Sequence, residues 1–424
     1  MTYFERFTEG EGFTEEVFVS TAKEALESLD CEGKRVLAII PDATRTAPMK
    51  LFYQAYRDSL VSLTKQCDIL IALGTHPPMS EKEIHDHLGV TPSQAQEEGI
   101  GIFNHSFDNP DELRLAGTLS SSEMEEISGG LVHEEVPVTV NRRVFSYDHV
   151  LLMGPVFPHE VVGFSGGYKY LFPGVSGREI TDRFHWFSAL ITNPKIIGHR
   201  DTPVREVLNR ASRFIPVELS AFCLVMQGES VMGVSAGDVR KAWSKAADVS
   251  ASVNILYKER PFHTIYSMAP PMYTELWVGG KCMYKLEPVA ADGGRVIIYA
   301  PHIKEVSLTH GRQLREIGYH TRDYFLHQWE RFRHYPGSVL AHSTHVKGIG
   351  TYRNGVEKSR IEVILATGIP PEVCREMNLG YLDWRTIDPS SFAGREDEGI
   401  LVVPKAGEML YRLADGSVPD IDNL

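Results

Sequence analysis

Residues 35–45 have the sequence RVLAIIPDATR, a short apolar, β-branched run that ends in a polar turn. The same pattern recurs in DILIALGTH (residues 68–76), IGIFNH (residues 100–105) and HVLLMGPVFPH (residues 149–159). Short runs of this kind, separated by longer amphipathic segments, are typical of βαβ units built around a mostly parallel sheet. The sequence therefore predicts an α/β fold with mostly parallel sheets flanked by helices.

Later apolar runs and helix caps extend this prediction along the chain. Ser80 with Glu83 forms a capping box before a helix that Gly89 ends, and Thr91 with Gln94 opens the next helix. We expect further strands at residues 217–226, 264–268, 295–300, 361–366 and 399–403.

The chain of 424 residues is long enough for two domains. A Pro-rich stretch at residues 269–271 follows a predicted strand and precedes the Gly279-Gly280 pair. Because such stretches are typical of linkers, we expect an N-terminal α/β domain at residues 1–270 and a C-terminal α/β domain at residues 271–424.

Composition excludes several classes of protein. A formal net charge of -13, with no clustered basic run, argues against a nucleic-acid partner. The five cysteines lie far apart, so the sequence predicts neither a disulfide framework nor a cysteine zinc site. No apolar run approaches the roughly 18 residues that span a bilayer, and the first ten residues do not resemble a signal peptide. We therefore expect a cytoplasmic protein without a membrane partner.

Polar side chains follow four predicted strands: Asp42 and Arg45, then His76, His105 and His159. Because ligands of open α/β sheets bind at the carboxyl ends of strands, these residues mark a candidate site. Each one alone is more often a helix cap or a turn residue. Together, an arginine fork and several imidazoles suit a carboxylate substrate and proton transfer at neutral pH. We expect His76 to support the others.

A glycine-rich segment at residues 163–174 surrounds Lys169. Gly166 and Gly167 would let the backbone approach a bulky group or cradle a phosphate, although the segment does not match a Walker A loop. His185 follows sixteen residues later in a predicted helix. On these observations alone, Lys169 is more often a salt-bridged loop lysine and His185 a core histidine.

The order and spacing of these motifs resembles the lactate racemase family over nearly the whole chain. The matching motifs are Asp42-x-x-Arg45, Asn104-His105, Pro158-His159, Gly166-Gly167-x-Lys169, His185 and the segment TGIPP at residues 367–371.

The resemblance implies a cofactor. Lys169 would be joined through a thioamide to a pyridinium mononucleotide whose two sulfurs and ring carbon hold nickel, the nickel-pincer nucleotide, beside Gly166 and Gly167. His185 would supply the fourth nickel ligand, and soft sulfur donors with one imidazole suit Ni(II). Separate maturation proteins would build the nucleotide and insert the metal.

The resemblance also implies an activity, the inversion of the C2 configuration of a small 2-hydroxy acid through a 2-oxo acid. His105 and His159 would exchange the hydroxyl proton as hydride passes to the cofactor and returns. Arg45 and Lys281 would hold the substrate carboxylate and Asp42 would orient this group. Since Lys281 lies beyond residue 270, the active site is expected in the interdomain cleft.

The chain departs from the lactate-specific pattern at Trp277 and Val278, where lactate racemase has a Tyr-Gln pair. Loss of the amide favours a substrate bulkier or more apolar than lactate. A sugar-acid 2-epimerase of the same family and a non-catalytic nucleotide- or nickel-binding protein remain as alternatives. An NAD-dependent dehydrogenase would need a G-x-G-x-x-G turn after an early strand, and the sequence has none. His342 and His345, without a recognisable metal-binding partner, are expected in a loop.

Overall fold

The computed structural model describes residues 3–424. Its chain forms two compact units: the first comprises residues up to 157, residues 164–181 and residues 200–253, and the second comprises the remainder. The units therefore alternate along the chain, which differs from the single boundary expected near residue 270. The strand at residues 262–268 explains part of this difference, because it pairs within the sheet of the second unit.

The strands account for most of the predicted framework. All nine predicted strands are present, with ends shifted by a few residues. In chain order the strands are β1 (Phe4–Phe7), β2 (Arg35–Pro41), β3 (Gln66–Ala72), β4 (Ile102–Asn104), β5 (Leu113–Leu119), β6 (Val136–Asn141), β7 (His149–Pro155), β8 (Pro158–His159), β9 (Gly163–Phe164), β10 (Glu218–Gln227), β11 (Ser230–Asp238), β12 (Ile255–Lys258), β13 (Phe262–Met268), β14 (Ala290–Ala300), β15 (Gly350–Arg353), β16 (Val356–Ser359), β17 (Glu362–Thr367), β18 (Gly380–Tyr381), β19 (Ile400–Val403) and β20 (Leu410–Leu413).

The α-helices lie mainly between these strands. In chain order they are α1 (Glu15–Glu27), α2 (Met49–Leu60), α3 (Glu81–Leu88), α4 (Pro92–Glu97), α5 (Ser121–Ser128), α6 (Arg178–Ile191), α7 (Asn193–Ile196), α8 (Pro203–Ala211), α9 (Val239–Asn254), α10 (Leu276–Gly279), α11 (Lys281–Tyr284), α12 (Gly311–Ile317), α13 (Arg322–His327), α14 (Trp329–Phe332), α15 (Gly337–Lys347) and α16 (Pro371–Glu376). Both predicted capping boxes are present at α3 and α4, and Gly89 ends α3 with a φ of 77°.

The first unit is built on a seven-stranded sheet in the order β1-β11-β10-β7-β2-β3-β4. The five strands from β10 to β4 run parallel, and β11 and β1 extend the sheet in antiparallel fashion. Strand β2 is buried on both faces from Val36 to Pro41, as a central parallel strand requires. Its alternate residues Val36, Ala38 and Ile40 join the core that α1 and α2 cover.

The second unit has a five-stranded sheet in the order β18-β17-β14-β13-β19. All of its pairings are parallel, which agrees with the predicted fold class. Two-stranded ribbons, β12-β20 and β15-β16, complete the unit. Among residues 3–424, no helix has both the length and the apolar character needed to cross a membrane.

One prediction for the second unit is wrong. His342 and His345 do not lie in a loop but in helix α15, where both side chains are buried. Every residue from 338 to 346 is buried, so no face of the helix is exposed to solvent. Its sequence therefore lacks the amphipathic pattern by which helices are recognised.

Candidate active site

The carboxyl ends of three neighbouring strands carry polar residues of the first unit. Strands β7, β2, β3 and β4 are adjacent and parallel, so their carboxyl ends lie at one edge of the sheet. Asp42 and Arg45 follow β2, His76 follows β3 and His105 follows β4. Three of the four strand ends at which the sequence predicts site residues therefore lie at one edge of this sheet.

Asp42 is hydrogen-bonded at this edge. Its Oδ2 lies 2.5 Å from Nδ1 of His76, and its Oδ1 accepts hydrogen bonds from the backbone N–H and hydroxyl of Thr44. Burial would by itself raise the pKa of this carboxyl. The opposing effects of His76, Arg45 and the Thr44 hydroxyl are larger and place the pKa well below its usual range. Asp42 is therefore a carboxylate at neutral pH.

His105 lies deeper, with 1 % of its surface exposed. Its Nε2–H donates to the carbonyl of Ser176 at 3.1 Å, which leaves Nδ1 to accept from the Asn141 side-chain amide at 3.3 Å. Burial lowers the pKa of His105 to about 4, against a smaller opposing effect of the Ser176 carbonyl. The imidazole is therefore neutral at pH 7, and Nδ1 is the basic nitrogen.

Lys169 belongs to a compact segment of residues 166–177, which we name the lysine turn. The lysine lies half-buried on a 3₁₀ turn at Gly167–Tyr170. Its backbone N–H donates to the carbonyl of Gly166, and its own carbonyl accepts from the N–H of Gly174, both at 3.2 Å. These bonds at both ends hold the backbone of Lys169 in place.

A buried arginine supports the lysine turn. The Arg205 guanidinium donates to the backbone carbonyls of Phe164 and Gly166 and lies over the indole ring of Trp243 at 4.1 Å. The Trp243 Nε1–H donates to the carbonyl of Ser165 at 2.8 Å. Sequence reasoning missed both residues, because they follow the lysine turn by 28 residues or more and match no recognised motif.

The two glycines before Lys169 have a structural reason in the protein itself. Gly166 and Gly167 have φ values of 83° and 58°, in the region that side chains disfavour. A Cβ atom at Gly166 would lie 2.6 Å from Val156, and one at Gly167 would lie 3.1 Å from Trp243. The Gly167 N–H is directed at the Cys223 thiol. Packing of the turn explains these glycines, and their contact with a nucleotide stays a prediction.

The lysine turn lies beside the polar strand edge. Burial raises the pKa of the Tyr170 hydroxyl, and the charges of Arg45 and Asp42 lie close enough to act on it. The Gly174 carbonyl accepts from the Gly74 N–H, two residues before His76, at 3.0 Å. The Ser176 carbonyl accepts from His105. The structure thus brings the segment of Lys169 together with Asp42, Arg45, His76 and His105 within the first unit.

His159 does not follow the end of β7 as expected. Strand β7 ends at Pro155, and His159 lies on the short strand β8, which belongs to the second unit. The His159 Nδ1 accepts from the Val161 N–H at 3.1 Å and lies 3.3 Å from Oε2 of Glu160. In the neutral ring the proton is therefore carried by Nε2.

His185 and the start of the helix of Lys281 lie near the imidazole of His342 in the second unit. His185, on α6, packs against the Phe184 ring and interacts electrostatically with His342. Lys281 begins α11 and has its Nζ 4.9 Å from the Tyr273 ring centroid. A Cβ atom on the preceding Gly280 would lie 3.3 Å from Nε2 of His342. His342 is a neighbour that sequence reasoning did not identify.

Trp277 packs against two histidine rings. Its indole is stacked on His342, with ring centroids 4.2 Å apart, and lies 4.5 Å from the ring of His310. The His342 Nε2–H donates to the Trp277 carbonyl at 3.0 Å. Because Gly280 has α-helical φ and ψ, Trp277 and Lys281 are four residues apart on nearly continuous helical backbone. Residues at this spacing lie on the same helical face.

The protein's own sulfur donors are buried. All five cysteines lie in the core, and burial raises the pKa of each thiol, to between about 11 and about 12. In the part of the chain that the structure describes, no three His, Cys, Asp or Glu side chains are grouped to hold a metal ion.

Comparison with known proteins finds similarity to lactate racemases. A family model described as the lactate racemase N-terminal domain matches residues 8–196. A curated lactate racemase from Thermoanaerobacterium thermosaccharolyticum is 24 % identical over 275 residues, covering 63 % of this chain and 60 % of that protein. The matched region thus spans less than two thirds of the curated relative.

Two solved structures are similar over nearly the whole chain. A crystal structure of a Thermotoga maritima protein is 34 % identical, with a TM-score of 0.86, and covers 96 % of this chain and 100 % of that one. The lactate racemase apoprotein from T. thermosaccharolyticum is 19 % identical, with a TM-score of 0.71 and coverage of 95 % and 94 %, which is a likeness of fold. Residues 8–196 thus match the N-terminal domain of the lactate racemase family, and the fold of the lactate racemase apoprotein extends over nearly the whole chain.

Proposed function

We propose that this protein is a racemase or epimerase that inverts C2 of a small 2-hydroxy acid, using a nickel-pincer nucleotide attached to Lys169. The observation that carries the proposal is the position of the lysine turn. Its Gly174 and Ser176 carbonyls bind the Gly74 N–H and the His105 imidazole, and its Tyr170 hydroxyl lies within electrostatic range of Asp42 and Arg45. A lysine-bound group, a carboxylate-binding pair and a base would then be close together.

The residues present fit the proposed cofactor. Lys169 is half-buried on a backbone that Arg205 and Gly174 hold, so a group attached to its Nζ starts from a fixed point. His185 would supply one imidazole to nickel. Because the cysteines are buried with raised pKa values, the sulfur ligands would come from the nucleotide. When bound, this group would accept and return the hydride of C2.

Charged side chains would hold the substrate carboxylate. Arg45 can bind both carboxylate oxygens with its planar fork, and Lys281 would add a second positive charge. Asp42 stays ionised at neutral pH and is paired with His76, so it provides a fixed negative charge beside Arg45. Asp42 would thereby orient the guanidinium rather than contact the substrate.

The two histidines proposed to move protons differ in a useful way. His105 is neutral, with its Nε2–H on the Ser176 carbonyl, so its Nδ1 can accept the proton of a 2-hydroxyl in place of the Asn141 amide. His159 has Nδ1 bound to a backbone N–H, so its Nε2 carries the proton. An acceptor and a donor are what inversion at a hydroxyl-bearing carbon requires.

Trp277 supports the proposal that the substrate is bulkier or more apolar than lactate. Helical spacing places it on the face of Lys281, one turn away, where the two Cβ atoms lie about 6 Å apart. A carboxylate bound by Lys281 would therefore direct the C2 substituent toward the indole. Packing against His342 and His310 fixes the indole, which provides a preformed apolar wall.

The tethered cofactor is tested by intact mass and nickel content. The protein is co-expressed with the maturation proteins that build the nucleotide and insert nickel. We expect a covalent mass increase and bound nickel in the natural chain and in Lys82→Ala, a control in which an 85 % exposed lysine is replaced. Neither should be found in Lys169→Ala. An unmodified natural chain, obtained while the same maturation system loads a control racemase, would refute the tether.

The reaction is tested on the loaded enzyme with single enantiomers of 2-hydroxy acids. For a 2-hydroxy acid whose only stereocentre is C2, chiral chromatography should show either enantiomer converting to an equal mixture of the two. A sugar acid should instead approach the C2 epimer ratio set by its other centres. Loaded protein that converts no 2-hydroxy acid would leave a cofactor-binding protein without this activity.

A further inference from the structure

A small polar cavity lies within the second unit, and none of its lining residues is assigned to the proposed active site. It has a volume of about 10 Å³, which is room for one water molecule. Its wall includes Thr192 and Asn193, directly after α6, and Glu287, which begins the 3₁₀ turn Glu287–Val289. Arg322, Thr344 and His345 also line it.

Two polar atoms of this wall are buried without a hydrogen-bond partner. They are the hydroxyl oxygen of Thr192 and the side-chain carbonyl oxygen of Asn193, on residues that are 4 % and 3 % exposed. The other end of the Asn193 amide is engaged, because its Nδ2 donates to the Tyr284 carbonyl at 3.0 Å and lies 3.4 Å from Glu287 Oε2. The amide therefore cannot turn its oxygen toward the protein without breaking these contacts.

The backbone at this point is strained in a way that keeps Thr192 in place. Thr192 has a φ of 89° and a ψ of 142°, a conformation that a β-branched residue adopts only when its surroundings enforce it. Its backbone N–H still donates to the Ser188 carbonyl at 3.0 Å. The strained turn fixes the Thr192 side chain at the cavity wall.

We propose that the cavity bounded by Thr192, Asn193 and Glu287 is a binding site for one structural water molecule. A water there donates to Asn193 Oδ1, which can only accept, and exchanges a second hydrogen bond with the Thr192 hydroxyl. Buried waters make about three hydrogen bonds to groups that lack other partners, and this wall offers two such groups beside a carboxyl.

The lining favours water over a metal cation of similar size. The Arg322 guanidinium forms part of the wall and would repel a cation, while its NH1 donates to the Leu190 carbonyl. Glu287 is fully buried, and one carboxylate oxygen already accepts from the Ile349 N–H at 2.8 Å. A neutral ligand that can both donate and accept satisfies this wall without adding charge.

The water would join two segments that carry proposed site residues. Thr192 directly follows α6, the helix of His185, and Glu287 follows α11, the helix of Lys281. A second connection runs from the cavity wall to α6, since the His345 Nε2–H donates to the Ser188 hydroxyl, which donates to the His185 carbonyl. The water is thus a structural part of the scaffold beneath these helices, independent of the proposed reaction.

The test is a crystal structure at about 1.5 Å resolution or better, together with two variants. We expect one ordered water within about 2.7–3.2 Å of both Thr192 Oγ1 and Asn193 Oδ1 in the natural chain. Thr192→Ser keeps the hydroxyl and should keep the water. Thr192→Val keeps the shape and β-branching but removes the hydroxyl, so the water should be lost or disordered and the melting temperature should fall by about 1–4 °C relative to Thr192→Ser.

Three results would overturn the proposal. One is no density in the natural chain, and another is an Asn193 side chain whose oxygen binds a protein donor instead. A third is a density peak surrounded by five or six oxygen ligands at about 2.4 Å, which would identify a cation. If Thr192→Val does not fold, the natural chain and Thr192→Ser alone decide, because density at the site is read directly.

Discussion

His105 and His345 are both buried imidazoles with lowered pKa values, yet their surroundings differ. His105 follows a parallel strand, at the sheet edge that carries the hydrogen-bonded Asp42–His76 pair and Arg45. His345 lies within helix α15, 4 % exposed, with its Nε2–H on the Ser188 hydroxyl and its ring 6.4 Å from that of Tyr284. Burial and a lowered pKa are thus shared by a candidate base and a structural residue.

The difference between them lies in their neighbours. At the strand edge, the Asp42 carboxylate binds His76 and interacts with Arg45, and the His105 Nδ1 is held only by a 3.3 Å contact with an amide. Around His345 the partners are the Ser188 hydroxyl and the Tyr284 ring, which stabilise a neutral imidazole. Proximity to paired charges at strand ends therefore separates candidate chemistry from packing better than burial or pKa does.

The largest effect expected is on turnover, and it tests this comparison directly. Glutamine in place of either histidine keeps an N–H donor at the Nε2 position. His105→Gln can therefore still donate to the Ser176 carbonyl, and His345→Gln can still donate to the Ser188 hydroxyl. Because only His105→Gln removes a proposed base, kcat of the loaded enzyme should fall by about 10²–10⁴-fold in that variant. His345→Gln should keep kcat within about threefold.

The measurement is kcat per nickel-loaded molecule, with melting temperatures recorded for both variants. Equal losses of kcat in the two variants would remove the distinction drawn between the two regions. A large loss of stability with unchanged kcat in His105→Gln would make His105 a structural residue.

The second effect is on stability in mild acid. Burial lowers the pKa of His105 to about 4 and those of His342 and His345 to about 3. The unfolded chain, with histidine pKa values near 6.5, therefore binds more protons than the folded chain between about pH 3 and pH 6.5. Stability from these rings is fully present above pH 6.5 and is lost as the pH falls through this window.

From pH 7 to pH 5, each neutral buried histidine should reduce the free energy of unfolding by about 2 kcal/mol. His345→Gln removes one titrating ring, so its loss over this interval should be smaller than that of the natural chain by about this amount. Denaturant titration of both proteins at the two pH values measures the difference. Since Asp42 titrates below pH 4, it does not contribute in this interval. If the free energy of unfolding falls equally in both proteins between pH 7 and pH 5, His345 is protonated in the folded protein at pH 5.

Much of the fold could be predicted because its central strands are short, buried and apolar. Strand β2 coincides with the apolar run that begins at Arg35, and the capping boxes at Ser80 and Thr91 mark helix starts correctly. The antiparallel pairs β1-β11 and β5-β6 were not predicted. Strand β11 contains glycines and alternates little, since nearly all of its residues are buried.

The candidate site divides in the same way. Asp42, Arg45, His76 and His105 lie at one edge because they directly follow parallel strands, and local sequence patterns predict well where those strands end. The contacts that hold the backbone of the lysine turn do not follow from local sequence patterns. Arg205 is joined to Gly166 across 39 residues, and only the folded chain brings these two residues together.

The smallest effect expected concerns substrate choice at Trp277. The indole is fixed by His342 and His310 on the helical face of Lys281, so a smaller ring should weaken contact with a large C2 substituent and leave carboxylate binding intact. In Trp277→Tyr the ratio of kcat/KM for a branched or aromatic 2-hydroxy acid to that for lactate should fall by about tenfold. The matched control is Trp329→Tyr, which alters an indole stacked on Trp186 in the same unit. If both variants change the ratio equally, or neither does, Trp277 does not select the substrate and the second unit's aromatic residues are scaffold alone.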